Sequence, residues 1–341
     1  MFYYTYDKFS THYNCGALTY KQWADEGHPN PSLGIAYIVT GLIFFILFIP
    51  CMLAMVRQEF TKHSCYKILI FESVLDLMGL VVSSFVTGYF TIIGGVYCMA
   101  PVFIYINGAI GMAIWVSTGM TSVLLVFNRI LDLGAPTISK KLFNGNKTLL
   151  WLLLPTSYGL YYLLCTPPLI YNSNGFAYFF DPFYGTSMDI QMSSNFVYTT
   201  VNHPINNIFV LVSLSSLYTI LCIVLIKKSQ MGGSQRLTKV QKSLVIQSIF
   251  ICSAILFNAA IYLYFQYFAV SDLVIIAAQF SWILTHGIPA FIALYFNHSM
   301  KNAFIKHYLP KALKKLPTKS TLTQNQVTKM TKIHKHNTPI I

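Results

Sequence analysis

Charged residues are scarce in this 341-residue chain, at 10% of the sequence, whereas hydrophobic residues make up 55%. Soluble domains carry about 25% charged residues, so a soluble globule of this composition could not cover its surface with polar groups. The scarcity excludes a soluble enzyme, a disordered scaffold and a nucleic-acid-binding module, because the basic residues behind the net charge of +13 are not gathered on one folded face. Most of the molecular surface is therefore expected to face lipid.

Motifs of catalysis and metal binding are also missing. No two of the seven cysteines are closer than fourteen residues, which excludes a Cys-x-x-Cys zinc or redox pair. The sequence has no His-Glu-x-x-His, Gly-x-Ser-x-Gly or P-loop motif. The first 32 residues lack a basic start followed by an apolar run, so we expect no cleavable signal peptide. The chain is predicted not to be an enzyme and to hold no organic cofactor.

The sequence does contain seven apolar segments, each long enough to cross about 30 Å of hydrocarbon as a helix of roughly 20 residues. They cover residues 33–56, 66–90, 101–127, 149–170, 206–226, 243–268 and 273–296. None alternates in the way that strands of a membrane barrel do. The predicted fold class is an all-α membrane protein, a seven-transmembrane helix bundle over residues 33–297.

Lysine and arginine predict the orientation of the bundle. Of the 23 basic residues, 21 lie in the loops after the first, third and fifth spans or in the tail, and the other two are Lys8 and Lys21. Basic residues concentrate on the cytoplasmic side of membrane proteins. The N-terminal segment, residues 1–32, is therefore predicted to be extracellular, and the tail is predicted to be cytoplasmic.

The tail divides into two parts. Apolar residues recur at helical spacing from Met300 to Tyr308, beside Lys301 and Lys306. This pattern predicts an amphipathic membrane-surface helix over residues 298–310, lying on the anionic inner leaflet. Residues 311–341 are polar and rich in lysine, which predicts a disordered cytoplasmic tail.

Seven helices with an outer N-terminus are common to several classes of membrane protein, so the count does not decide the function. The seventh span has no lysine to form a retinal Schiff base. The spans show no repeat of two similar three-helix halves of the kind found in sugar-type transporters. A signalling receptor is the favoured interpretation, and a seven-helix channel or transporter stays open as the alternative.

Short motifs in a fixed order along the seven spans carry a resemblance to one family. They are Asn14-Cys15, Trp23 and His28-Pro29-Asn30; Cys65-Tyr66-Lys67 and Asp76; Cys98, Pro101, Tyr105, Gly108 and Asn128-Arg129; Asp181-Pro182; Asn202-His203 and Asn206-Asn207; and His286-Gly287 with Pro289. From about residue 14 to residue 309, the chain resembles the nematode serpentine receptors of class T. The resemblance implies a multi-pass G-protein-coupled chemosensory receptor of the plasma membrane, with the sensory cilium as a candidate location. Its partners would be a small-molecule ligand, a heterotrimeric G protein and membrane lipid.

Asp76 inside the second span is a candidate for the activation machinery, and Asn128-Arg129 is a candidate for G-protein coupling. Glu72 and Asp76 lie one helical turn apart, and an acid costs roughly 2.5–3.5 kcal/mol at a helix centre on insertion scales. Asp76 resembles the second-span aspartate of many receptors, which implies a sodium ion or a water network that changes during activation, whereas Glu72 is interpreted as a packing residue near the inner interface. Asn128-Arg129, at the inner end of the third span, resembles the receptor site that faces the G protein.

Cys98 lies at the predicted outer mouth of the third span, where receptors commonly tether an outer loop by a disulfide. The long outer loop, residues 171–204, contains no cysteine. The candidate partners of Cys98 are therefore Cys15 in the N-terminal segment and Cys165 near the outer end of the fourth span. The remaining cysteines face cytosol or lipid and are expected to stay thiols.

The long outer loop also suggests the chemistry of a ligand. It has nine aromatic residues, two acids and no basic residue, which suits a lid over a pocket for a small, apolar or weakly polar external ligand. An aromatic belt at the membrane interface is the alternative interpretation. The residues predicted to line the pocket are Tyr105, Asn107, Trp115, His203, Trp282 and His286.

Overall fold

In a computed structural model of the protein, the described residues are 6–189, 198, 200–230, 239–265, 267–268 and 270–308. Among them, seven helices are long and apolar enough to cross a membrane, which confirms the predicted seven-transmembrane bundle. The helices are α1 (Pro31–Met55), α2 (Ser64–Ile93), α3 (Pro101–Gly134), α4 (Lys147–Cys165), α5 (Asn202–Gln230), α6 (Lys239–Phe265) and α7 (Asp272–Phe296).

Two spans end five or more residues from the predicted position. Helix α3 continues to Gly134, beyond the predicted end at residue 127. Helix α4 ends at Cys165, although the apolar run continues to Ile170. The sequence Pro167-Pro168 follows, and proline has no backbone N–H to donate and clashes with the preceding turn of a helix. The chain therefore leaves the helix before this pair.

Helix α3 occupies the centre of the bundle, and the peripheral helices present apolar side chains outward. Most of α3 is buried, whereas α1, α4 and α5 expose large apolar residues such as Ile43, Leu150 and Val212. Soluble monomers rarely expose contiguous apolar surface of this extent. These helix faces are suited to lipid contact, as expected for a multi-pass membrane protein.

Helix α2 is interrupted in its second half. Ser64–Leu80 and Thr87–Ile93 are α-helical, and Val81–Val86 between them forms a π-helical turn. Such turns widen a helix locally and occur frequently at functional sites. Here the wider turn lets the carbonyl of Val82 accept hydrogen bonds from the hydroxyls of Thr87 (2.8 Å) and Tyr178 (3.3 Å). The turn is thus a docking point for the loop that contains Tyr178.

That loop contains a β-hairpin, which adds a small sheet to an otherwise helical fold. Strands β1 (Ile170–Asn172) and β2 (Ala177–Phe179) are antiparallel, and Tyr171 pairs with Tyr178 in their register. Both tyrosines are buried, and the Tyr171 hydroxyl lies 2.6 Å from the hydroxyl of Thr91 in α2. The hairpin is therefore inserted into one end of the bundle.

The N-terminal segment covers this end of the bundle, which we call the N-terminal face and define by residues 6–30 and the hairpin. Cys15 forms a disulfide with Cys98, which selects one of the two predicted partners, and Cys165 is a free thiol. The buried Trp23 donates from Nε1 to the carbonyl oxygen of Cys15 over 3.0 Å. The backbone N–H of His28 donates to the Ser173 hydroxyl in the hairpin turn over 3.0 Å. Several motif residues of the N-terminal segment therefore fasten it to the hairpin and to the start of α3.

The opposite end, the C-terminal face, carries the short helices Pro136–Phe143 and His298–Tyr308. In the second of these, Met300 and Ala303 are buried, and the Tyr308 hydroxyl donates to the carbonyl oxygen of Leu53 in α1 over 3.1 Å. Residues 309–310 of the predicted surface helix and the predicted tail 311–341 lie outside the described residues. Other short helical elements are Tyr6–His12, Tyr20–Asp25, Gln58–Thr61 and Tyr97–Met99.

Candidate ligand and coupling sites

A cavity of about 430 Å³ lies at the N-terminal face between α3, α5, α6 and α7, beneath the hairpin. We call it the N-terminal cavity. Of its fifteen described lining residues, nine are aromatic, five are aliphatic and the last is His203. Ligand pockets are typically about 300–1,000 Å³ and mostly apolar, with few polar groups. The volume and lining suit a small molecule of low polarity.

Three of the six residues predicted to line a pocket line this cavity. They are Trp115 on α3, His203 on α5 and Trp282 on α7. All three are buried. Because they come from three helices, their side chains meet only in the folded bundle.

The other three predicted pocket residues lie elsewhere, which corrects the prediction. Tyr105 packs edge-on against Tyr13 of the N-terminal segment, with ring centroids 5.1 Å apart. Asn107 lies behind the cavity wall and donates from Nδ2 to the Tyr178 hydroxyl over 2.9 Å. His286 lies one helical turn from Trp282 and faces α2. The spacing in the sequence does not show which way each helix is rotated.

A hydrogen-bonded network holds the cavity wall at the start of α5. Trp115 donates from Nε1 to Oδ1 of Asn207 over 3.0 Å, and Nδ2 of Asn207 lies 3.4 Å from Nε2 of His203. Asn206 donates to the same Oδ1 over 3.1 Å and accepts from the Tyr158 hydroxyl over 3.2 Å. The asparagine pair therefore joins α3, α4 and α5 and orients the two cavity residues Trp115 and His203.

The roof of the cavity is the hairpin, and Tyr178 is its central residue. Its hydroxyl accepts from Asn107, donates to the Val82 carbonyl oxygen and lies 3.3 Å from the Thr87 hydroxyl. Burial raises the pKa of Tyr178 to about 12, so the phenol is neutral at physiological pH. Its ring meets that of Trp282 edge-on, with centroids 5.4 Å apart.

Gly108 allows the chain that leads into the hairpin to approach α3. A Cβ atom at this position would lie 1.4 Å from the carbonyl oxygen of Leu169, which is backbone and cannot turn aside. Leu169 lines the N-terminal cavity. A side chain at residue 108 would therefore displace part of the cavity roof.

Below Trp282, a buried pair connects α7 with α2. Nδ1 of His286 lies 3.0 Å from Oδ1 of Asp76, and neither side chain is more than 1% exposed. Gly79, one turn after Asp76, leaves room for the imidazole, because a Cβ there would lie 2.6 Å from the ring. Asp76 is therefore paired with a histidine 210 residues away.

A small void of about 10 Å³ lies beside this pair and is lined by Glu72, Ser73, Asp76 and Gln247, among other residues. One acceptor oxygen each of Glu72, Asp76 and Gln247 has no hydrogen-bond partner among the described residues. Glu72 is 1% exposed, and its other carboxylate oxygen accepts from Ser122 over 2.7 Å. Cations such as Ca²⁺ and Mg²⁺ take oxygen ligands, and a space of this size holds about one water molecule, so these residues fit a water or a bound cation.

The C-terminal face has a larger cavity of about 870 Å³, the C-terminal cavity, whose lining includes Arg129. The Arg129 side chain is 7% exposed, and its Nη1 lies 3.8 Å from Oδ2 of Asp132. Oδ1 of Asp132 accepts from the hydroxyl of Ser139 in the helix Pro136–Phe143. Nε and Nη2 of Arg129 have no acceptor in the described part of the chain. The buried guanidinium is therefore held by Asp132 on one side, and its Nε and Nη2 donors have no acceptor within the described chain on the other side.

Asn128 does not line the C-terminal cavity, although it was predicted to act with Arg129 there. It is fully buried and donates from Nδ2 to the Ser64 hydroxyl over 3.0 Å. Asn128 thus fastens α3 to the start of α2.

His63, which lines the C-terminal cavity, has a lowered pKa, chiefly because it is partly buried and lies near Lys62.

Several residues of these sites have no role in the sequence-based prediction. Tyr178 stands in a hairpin whose turn, Ser173-Asn174-Gly175, follows the pattern of turn residues between strands rich in aromatic residues. This turn pattern is a sequence signal for the hairpin. Gln247 is one of several polar residues in the sixth span, and Tyr262 is one of many aromatic residues in α6. No local pattern separates them from packing residues.

Comparison with known proteins agrees with this architecture. A family profile described as "Serpentine type 7TM GPCR chemoreceptor Srt" matches residues 1–316. The chain is 25% identical over 298 residues to serpentine receptor class T-55 of Caenorhabditis elegans, and the matched region covers 86% of this chain and 79% of the relative. The predicted resemblance is confirmed: the chain belongs to the serpentine class T family of seven-transmembrane chemoreceptors.

Proposed function

We propose that this chemoreceptor detects a small, apolar or weakly polar external ligand in the N-terminal cavity and transmits its binding to a heterotrimeric G protein at the C-terminal face. The N-terminal cavity carries the first half of the proposal, because it is a pocket of about 430 Å³ with fourteen apolar or aromatic residues among its fifteen described lining residues. Trp115, His203 and Trp282 are the predicted ligand-binding residues that it brings together.

The second half concerns the C-terminal cavity. Arg129 lines it, and two of its guanidinium nitrogens are buried without an acceptor among the described residues. A partner that inserts carbonyl or carboxylate oxygens would supply those acceptors, and hydrogen bonds to a charged donor are stronger than neutral ones. Asp132, held by Ser139, competes for the same guanidinium. Loss of that restraint is the proposed step that makes Arg129 available to the G protein.

The proposed orientation places the N-terminal face outside the cell and the C-terminal face in the cytoplasm. It is supported by the 21 basic residues that follow odd-numbered spans, and by the Cys15–Cys98 disulfide, because disulfides persist in oxidising compartments. An epitope tag before Lys8 should then be labelled on intact cells, and a tag after Lys319 only after permeabilisation. The reverse labelling would contradict the orientation.

We propose that the small void beside the Asp76 and His286 pair holds a sodium ion or an ordered water. Glu72, Asp76 and Gln247 would hold it through their three unmatched oxygens. Asp76 also contacts His286, which lies next to Trp282 at the floor of the N-terminal cavity. A shift of Trp282 on ligand binding would therefore reach the residues around the void by direct contact.

The proposal is tested by expressing the full chain with a G-protein activation reporter and applying a panel of volatile and water-soluble compounds. We expect at least one neutral compound to activate the reporter in wild-type cells, and Trp282→Ala to shift its concentration dependence. Membrane current is recorded from the same cells. A ligand-dependent current that persists when G proteins are blocked would instead favour the channel alternative. Labelling of the receptor in sensory cilia and at the plasma membrane tests the proposed location.

A further inference from the structure

The N-terminal cavity has no counterion for a charged ligand. None of its described lining residues is an aspartate, glutamate, lysine or arginine. His203 is the ionisable exception besides the tyrosines, and its Nε2 lies against the Asn207 amide. Moving an ionised group into such surroundings loses its hydration without an ion pair in return. The lining therefore disfavours carboxylates and ammonium compounds relative to neutral molecules of the same shape.

The indole N–H groups of the lining residues differ in whether they are already used. Two lining residues carry an indole N–H. That of Trp115 donates to Asn207, whereas that of Trp282 is buried and has no acceptor among the described residues. The Tyr178 hydroxyl beside Trp282 already donates to Val82. A buried donor without an acceptor is destabilising, and the cost is recovered when an acceptor arrives.

We propose that the N-terminal cavity selects neutral, mainly apolar molecules that carry a hydrogen-bond-accepting oxygen, and that the Trp282 indole N–H donates to this oxygen. The inference rests on the proposed function, because it takes the N-terminal cavity as the ligand site. It makes Trp282 a specificity-determining residue. Ketones, aldehydes and esters then bind more tightly than hydrocarbons of the same shape, since a hydrocarbon leaves the indole N–H unmatched.

The test uses the purified full-length receptor and four probes of nearly equal size: acetophenone, α-methylstyrene, benzoate and benzylammonium. Acetophenone carries a C=O group where α-methylstyrene carries a C=CH₂ group. Ligand-dependent thermal stabilisation reports the relative affinities. We expect acetophenone to bind about tenfold more tightly than α-methylstyrene and both ions to bind more weakly than acetophenone.

Two matched variants assign this preference to one indole. Trp282→Phe keeps an aromatic ring and removes the N–H, and we expect the ketone and the hydrocarbon to bind it within about twofold of each other. Trp151→Phe removes an indole N–H that donates to the carbonyl oxygen of Leu142 away from the cavity, and it should keep the ketone preference. If Trp282→Phe fails to fold, a wild-type series of ketone, ester, ether and hydrocarbon replaces it, and affinity should fall in that order.

Several results would overturn the inference. They are equal affinity of wild type for acetophenone and α-methylstyrene, tighter binding of either ion, a ketone preference that survives in Trp282→Phe, or no stabilisation by acetophenone near its aqueous solubility. Failure of the proposed function looks different: acetophenone would bind with the expected preference, yet no bound compound would activate a G protein. Conversely, G-protein activation by ionised compounds alone would support the proposed function but refute the proposed class of neutral ligands.

Discussion

The pairing of Asp76 with His286 predicts a strong energetic coupling between α2 and α7. Each side chain is at most 1% exposed, and the two atoms lie 3.0 Å apart. Removing one member of a buried pair leaves the other unpaired, at a cost of about 3–5 kcal/mol in soluble proteins. Replacing both by apolar residues avoids that cost. The double variant should therefore be more stable than the sum of the two single variants predicts.

The coupling free energy between Asp76 and His286 can be bounded. Hydrogen bonds between membrane helices average about 0.6 kcal/mol in double-mutant cycles, with a maximum of about 1.7. A fully buried pair of ionisable groups should exceed that average, so we expect a coupling of about 1–3 kcal/mol between Asp76→Leu and His286→Phe. The phenyl ring keeps the space that Gly79 leaves for the imidazole.

The assay is titration of the purified receptor with a denaturing detergent, for wild type, both single variants and the double variant. A control cycle pairs Asp76→Leu with Tyr308→Phe, which removes a hydroxyl at the C-terminal face. Distant sites are usually additive within about 0.3–0.5 kcal/mol. A coupling for the Asp76 and His286 cycle no larger than that of the control cycle would refute the assigned pair.

Three further predictions follow from other contacts. Cys98→Ser should lower the amount of receptor at the cell surface, because it opens the disulfide of the N-terminal face, whereas Cys165→Ser should not; equal surface labelling would contradict the tether. Gly108→Ala should destabilise the receptor by about 1–3 kcal/mol or more, because its Cβ would clash with the backbone of Leu169. Gly134→Ala should be tolerated, because its Cβ meets Val224 at an ordinary 3.5 Å. Similar melting temperatures for the two variants would contradict the predicted clash. Asp132→Asn should raise ligand-independent G-protein activation, measured at equal surface expression, and an unchanged baseline would speak against the restraint on Arg129.

The seven spans were predictable because lipid imposes a long apolar run on every helix that crosses it. The ends of the helices were predicted less well. Helix α4 ends at Cys165 although the apolar run continues, because the pair Pro167-Pro168 cannot continue the helix. Asp76 could be singled out because an acid in an apolar helix is costly. Its partner His286 could not be derived from the sequence, because the contact depends on how α2 and α7 are rotated against each other.

The ligand pocket shows the same limit. Trp115, His203 and Trp282 are polar or aromatic residues within or near the spans, and they converge because three helices turn these positions inward. Tyr105 and Asn107 satisfied the same criterion but face the N-terminal segment and the hairpin. The sequence contained the candidates, and the helix rotations decided among them.

A ligand at the N-terminal face is proposed to control a G protein at the C-terminal face, and a nucleotide-exchange assay measures that control. Purified receptor in lipid discs is mixed with a heterotrimeric G protein and an activating ligand. We predict that the ligand accelerates GTP uptake with wild type and that Arg129→Ala binds the ligand with unchanged affinity but gives no acceleration. Equal acceleration by wild type and Arg129→Ala, or none with wild type at saturating ligand, would contradict the claim.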